Sequence, residues 1–198
     1  MNDSCAANLA VVLVHHPVMD KNGDTIAAAV TALDLHDIAR ASKTFGADAF
    51  YVVTPLEDQQ TLVRQIVDHW VTGAGAKYNP DRRAALELIR LMPSLEDVRE
   101  AVAANTGEEP RVVVTSARME NSDLSYTGLG EMVQTRRPVL LVFGTAWGLA
   151  QDLIDGADYR LAPINGQGEY NHLAVRSAVS IILDRVLGDK ILNNHQHE

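Results

Sequence analysis

Residues 29–54 read AVTALDLHDIARASKTFGADAFYVVT. Val30, Leu33, Leu35, Ile38 and Ala41 recur at helical spacing along one face, and Gly46 supplies a natural helix stop. AFYVVT (49–54) follows at once as an unbroken aromatic and β-branched run, the pattern of a strand covered on both faces. A helix feeding directly into a fully buried strand is the building unit of a parallel α/β sheet. The pattern repeats outward from there. LAVVLV (9–14), RVVVTS (111–116) and PVLLVF (138–143) read as further buried strands, with a short one near 159–162. EDQQTLVRQIVDHWVTG (57–73) opens with acids and stops at Gly73. SLEDVREAVAANTG (94–107) places Ser94 and Asp97 at capping-box spacing and ends at Gly107. A last helix is predicted over 171–187, closed by Gly188. The expected fold class is α/β, a mostly parallel sheet with helices on both faces.

The chain has 198 residues, 46% of them hydrophobic, which suits one domain over 1–198 with a sizeable core. A formal net charge of −9 weakens long-range attraction to polyanions and argues against a protein that coats nucleic acid non-specifically. Local basic patches remain, at Arg82–Arg83 with Lys77 nearby, and at Arg136–Arg137. Cys5 stands alone, so neither a disulfide framework nor a cysteine metal site is available, and a reduced cytoplasmic setting is expected. The opening MNDSCAANLAVVLVHHPVMD has no basic n-region and too short an apolar run for a membrane span, so a soluble protein is expected. There is no internal repeat. The tail NNHQHE (193–198) reads as a frayed end, and His15–His16 lack a third ligand at metal spacing, so no metal is expected.

In a parallel sheet, ligands bind beyond the carboxyl ends of the strands. Three loops therefore matter: TSARMENSD (115–123), GTAWGLA (144–150) and APINGQGEYNH (162–172). The second has neither the third glycine of a dinucleotide fingerprint nor the Gly-Lys-Ser/Thr of a phosphate loop. Gly144 and Gly148 do permit close approach to backbone, with Trp147 as an apolar wall, although a plain strand-to-helix turn has the same signature. In the third loop, Pro163, Gly166 and Gly168 hold an irregular track while Asn165 and Asn171 bond to main chain. Such a track offers N–H and C=O groups able to read an adenine edge and a ribose. His172 fits a helix cap or a packing role. On the first helix Asp34, Asp37 and Arg40 fall at i, i+3 and i+6, the spacing of a polar face in water.

Together these segments resemble the SPOUT superfamily of S-adenosylmethionine-dependent RNA methyltransferases. LDLHDIARASKTFGADAFYVVTP (33–55) is similar to the first motif of its ribose 2′-O branch, with Arg40 as the motif's arginine. PVLLVFGTAWGL (138–149) is similar to the second motif, and YRLAPINGQGEYNHLAVRSAVSIILDRVLG (159–188) to the third. YNHLAVR also resembles a stretch of the tRNA guanine-N1 branch. The resemblance implies a C-terminal deep trefoil knot, a homodimer, and S-adenosylmethionine bent inside the knot.

It implies a cofactor pocket made by Thr115 and Ser116, by Phe143, Gly144, Thr145, Trp147 and Gly148, and by Leu161, Pro163, Ile164 and Gly166. Asn171, His172, Leu173 and Val175 complete it. Arg40 would orient phosphate or stabilise the acceptor anion, with Asp37, Arg118 and Asn171 assisting; a salt bridge of Arg40 with Asp37 or with an i−4 partner on its helix is the bland reading. Lys77, Arg82 and Arg83 form a candidate patch for tRNA or rRNA. Two departures stand out: Ala174 replaces the serine of the ribose branch, and the C-terminal acidic base of the guanine-N1 branch has no counterpart. They favour a knotted dimer that binds RNA or cofactor without catalysis as the alternative, and an unknotted nucleotide-binding enzyme is a second one.

Overall fold

A computed structural model describes residues 7–188 apart from Arg136 and Glu169; Cys5 and the 193–198 tail lie outside the described residues. The chain runs β1 (Ala7–Val14), β2 (Val18–Met19), β3 (Thr25–Ile26), α1 (Ala32–Thr44), β4 (Ala47–Val53), α2 (Glu57–Val71), α3 (Ala74–Tyr78) and α4 (Pro80–Leu86). It continues with β5 (Ile89–Met92), α5 (Leu95–Thr106), β6 (Arg111–Val114), α6 (Tyr126–Val133), β7 (Val139–Gly144), α7 (Gln151–Asp155), β8 (Tyr159–Arg160) and α8 (Val175–Leu183), ending in a π-turn, Asp184–Gly188.

Six strands form one sheet in the order β5-β4-β1-β7-β6-β8, with every pair parallel. Alternation along β1 sorts its side chains onto two cores. Leu9, Val11 and Leu13 pack with Leu35 and Ile38 of α1, Val63 of α2, Leu86 of α4, Leu129 of α6 and Val179 of α8. Ala10, Val12 and Val14 pack on the other side with Val98 and Val102 of α5 and with Leu149. Helices therefore cover both faces. Each such Val or Leu, fully buried, contributes about 1.5–3 kcal/mol relative to exposure.

The expected ends of the first helices hold. Ser94 Oγ accepts from the Asp97 amide at 3.1 Å, while its hydroxyl donates to the Asp97 carboxylate. Gly46 and Gly107 take the left-handed φ values, +76° and +77°, that let a helix turn out of its last carbonyls. The last helix differs from expectation: it starts at Val175, not 171. The physical reason is Asn171, whose side-chain amide donates to the Ile164 carbonyl at 3.0 Å instead of capping a helix.

Register sets the site. Val14 pairs with Val53 on one side and Gly144 on the other, so the carboxyl ends of β4, β1 and β7 are flush. The segment around β8 lies between two neighbours. On one edge Asp158 N and Leu161 N donate to the Val112 and Val114 carbonyls, both at 3.0 Å. On the other edge Asp123 N and Leu124 N donate to the Arg160 carbonyl at 3.1 and 3.2 Å, and Ala162 N donates to Leu124 O at 2.8 Å.

Candidate functional site

The loops after β6, β7 and β8 converge on a cavity of about 700 Å³ at this flush edge. Its volume lies within the roughly 300–1,000 Å³ range of small-molecule sites. Each loop is fixed by side-chain and main-chain bonds. Thr115 Oγ1 donates to Val142 O and Thr145 Oγ1 to Val14 O, each at 3.0 Å, pinning two loops to the strand ends. Gly144 cannot be replaced cheaply, since a Cβ there would lie 2.5 Å from the Leu149 amide nitrogen and 2.8 Å from the Gly148 carbonyl carbon. The turn from β7 passes so closely over itself that only glycine fits.

Thr115, Ser116, Arg118, Phe143, Gly144, Thr145, Trp147 and Gly148 line this cavity, together with Pro163, Ile164, Asn171, His172, Leu173 and Val175. The three loops expected to meet do meet. Leu161 is not on the wall; it is buried at 1% exposure and bridges to Leu124. Gly166 also lies off the wall, its Cα facing the Tyr170 carbonyl across the loop. Asn171 lines the cavity while its amide is bonded to Ile164, so its role there is to shape the loop.

Asp37 and Arg40 sit elsewhere, in a shallow groove of about 520 Å³ between α1 and α8. The ion pair that was the bland alternative for Arg40 is not formed: Asp37 pairs with Arg176, and among the described residues Arg40 makes no ion pair. Asp37 faces Arg176 instead, with Nε at 3.6 Å from Oδ2. Arg176 belongs to the lining of both the groove and the cavity. Its Nη1 also donates to Asp34 Oδ1 at 3.1 Å. Asp34 is buried rather than part of a solvated face, which corrects the reading of that helix. Thr31 Oγ1 donates to its other oxygen at 2.6 Å and accepts from its amide at 3.2 Å. Arg176, Asp34 and Thr31 are the members that sequence reasoning passed over. The Thr31-x-x-Asp34 spacing, a capping-box signal, was the available clue to the second and third.

His15 lies at the end of β1 with no exposure and no hydrogen-bond partner for either ring nitrogen. Burial pushes its imidazole below the ordinary value, against the pull of the Asp34 charge, so it is neutral at pH 7. His36 on α1 is also held low, by burial and then by Arg82, whose guanidinium stands 4.5 Å from the Trp70 ring centre. Among the described residues no group of three or more His, Cys, Asp and Glu side chains is placed to hold a metal ion. No described helix is long and apolar enough to cross a membrane.

Walls of this kind, apolar along Phe143, Ile164 and Leu173 and polar at Thr115, Ser116 and the main chain of two glycine turns, suit a nucleoside recognised without a phosphate loop. Comparison with known proteins agrees. The chain is 44% identical over 184 residues to a tRNA (guanine-N(1)-)-methyltransferase of Oleidesulfovibrio alaskensis, a match that covers 93% of this chain and 43% of that protein. It thus spans less than half the length of that relative. An uncharacterized protein of Aquifex aeolicus is 39% identical over 180 residues, 90% of this chain and 88% of its own. Among solved structures, a putative methylase family protein from Neisseria gonorrhoeae superposes with a TM-score of 0.65 at 16% identity, covering 96% of this chain and 86% of that one. The SpoU methyltransferase AviRb from Streptomyces viridochromogenes, in complex with AdoMet, gives 0.55 at 18% identity over 92% of this chain and 57% of that one. A family described as SAM-dependent RNA methyltransferase matches residues 8–188. The chain belongs to that family of SAM-dependent RNA methyltransferases, and with it to the SPOUT superfamily.

Proposed function

We propose that this chain transfers a methyl group from S-adenosylmethionine to a nucleotide of tRNA or rRNA, at guanine N1 or a ribose 2′-oxygen. The observation that carries the reading is the convergence of the loops after β6, β7 and β8 on one cavity at the carboxyl edge of the sheet. The close turn at Gly144, which a Cβ would fill, fits a nucleoside held against backbone. Thr115, Ser116, Thr145 and the main chain of 144–148 and 162–164 would hold the adenosyl group, against Phe143, Ile164 and Leu173. When bound, S-adenosylmethionine supplies an electrophilic methyl carbon for in-line displacement.

The chain's own residues must orient the acceptor and take its proton. Arg176, fixed from both sides by Asp34 and Asp37, stands between cavity and groove. Asp34 is engaged by two donors and buried, which leaves Asp37, more exposed and paired with Arg176 Nε at 3.6 Å, as the carboxylate to receive the acceptor proton. Arg40 and Arg118 would hold phosphate. Lys77, Arg82 and Arg83 would extend the RNA track, with Arg83 partly neutralised by Glu87 at 2.8 Å.

The bonding of residues 158–162 to β6 on one edge and to 123–124 on the other is compatible with a C-terminal trefoil knot in one domain over 1–198. Leu33, 63% exposed on α1, supports a homodimer through that helix. A cytoplasmic location fits both. Incubation with methyl-labelled cofactor and unfractionated tRNA or rRNA, followed by nucleoside mass spectrometry, tests the reading and identifies the atom modified. Binding of S-adenosylhomocysteine by calorimetry without any label transfer would instead establish a binding-only knotted protein, the reading that Ala174 favours.

A further inference from the structure

Trp147 is 57% exposed although it lines the cavity, and its loop is built to keep it outward. Its amide donates to Met19 O at 3.1 Å, Met19 N donates to Gly148 O at 2.9 Å, and Gly148 N donates to Thr145 O at 3.0 Å. The residue before it, Ala146, is held at φ +52°, a left-handed conformation that side chains other than glycine rarely adopt. A chain that folds this loop so firmly and still leaves an indole in water gives up the burial of one of its two tryptophans. Over the ring, 5.6 Å from its centre, stands the Arg118 guanidinium. Arg118 is exposed and makes no ion pair among the described residues; its backbone is set by its own amide donating to Ser116 Oγ at 3.1 Å.

A flat π surface beside an uncompensated guanidinium is complementary to a nucleobase with its phosphate, and in a chain of net charge −9 it is a local exception to the prevailing field. We propose that Trp147 and Arg118 form the acceptor platform: the base of an unpaired RNA nucleotide stacks on the indole while Arg118 holds the adjoining phosphate. This rests on the RNA methyltransferase reading above and assigns Trp147 to the acceptor instead of the cofactor. Bases inside a duplex have both faces covered, so the acceptor must come from a loop or be turned out of its helix.

The test uses the full chain, fluorescein-labelled unfractionated tRNA, and S-adenosylhomocysteine. Trp147→Ala should weaken tRNA binding about five- to hundred-fold, the range for one lost base stack. Trp147→Phe should recover most of it, and Arg118→Gln should weaken it while lowering its salt dependence. S-adenosylhomocysteine affinity should stay within about twofold in all three, because the lost contact is to the base. The proposal is overturned by an equal fall in S-adenosylhomocysteine affinity, which would make the indole a cofactor wall. An unchanged tRNA affinity overturns it too, as does a change in oligomeric state on sedimentation of Trp147→Ala, which would put a second copy on the indole. Competition of tRNA by free nucleoside monophosphates at similar concentration would replace RNA with a free nucleotide as ligand. Wild-type protein that binds no S-adenosylhomocysteine overturns the underlying function; normal binding with any of the earlier failures overturns only the platform.

Discussion

Two regions of this chain are built on different terms. Between Ala32 and Thr106 almost every residue belongs to a regular element, and the helices end in local signals such as the Ser94 cap and the Gly107 turn. Among the described residues between Gly144 and Val175, the only regular pieces are the five-residue α7 and the two-residue β8. That second region supplies most of the cavity. A regular element spreads its hold over a ladder of backbone bonds, whereas the irregular track depends on single contacts: Asn171 to Ile164, Thr145 to Val14, Gly144 under Leu149. Substitutions in the track should therefore move ligand affinity more than stability, and substitutions in the regular region should do the reverse.

The sharpest way to break that contrast is Gly144→Val. Its Cβ meets backbone, not a movable side-chain tip, so the turn must open; overpacking of this kind costs about 1–3 kcal/mol. We expect S-adenosylhomocysteine affinity to fall roughly tenfold or more by calorimetry, and wild-type affinity would dissolve the distinction. Arg176→Met should cost about 1–3 kcal/mol in urea unfolding, because Asp34 is left buried without its cation. Adding Asp34→Asn should restore much of that loss, and no recovery would mean that Arg176 acts through Asp37 alone. Asn171→Ala removes one neutral hydrogen bond worth about 1 kcal/mol. It should weaken S-adenosylhomocysteine roughly fivefold while moving Tm by no more than about 2–4 °C.

The smallest effect lies at the opposite end of the sheet. Asp48, at the start of β4, has its carboxyl pushed up to about 6 by desolvation, against the Leu9 amide. A carboxyl that binds its proton more tightly when folded stabilises at low pH, and that contribution is lost as pH rises through about 6. Asp48→Asn should thus raise stability at pH 8 by about 1 kcal/mol, a figure reduced because the residue is partly exposed, with the gain shrinking toward zero near pH 4. Cofactor affinity should not move. A change there would show that the two ends communicate.

The same contrast decides what was legible from residues alone. Buried strands such as LAVVLV and the caps at Ser94 and Gly107 rest on neighbours in sequence, so period and capping chemistry found them. The three loops of the cavity were legible as loops, and their meeting followed from the family's motif order together with the rule for parallel sheets. The Arg176–Asp34 contact joins residues 142 positions apart. No local pattern marks it, and Asp34 at i, i+3, i+6 with Asp37 and Arg40 mimics a wet face while its carboxylate is under α8. The late start of α8 was hidden for a related reason: Asn171 is an excellent cap by type, but its partner is a carbonyl seven residues back.

The seating of residues 158–162 between β6 and the 123–124 stretch imposes an order of events on synthesis. As the chain leaves the ribosome, both flanks of that slot are complete some thirty-five residues before the piece that fills it has been made. Until then the Val112 and Val114 carbonyls have no partner on that edge, and the nascent protein is open to proteases and to pairing with other chains. Maturation should accordingly be slow and late, with ligand capture appearing only after the final helix has followed β8 into place.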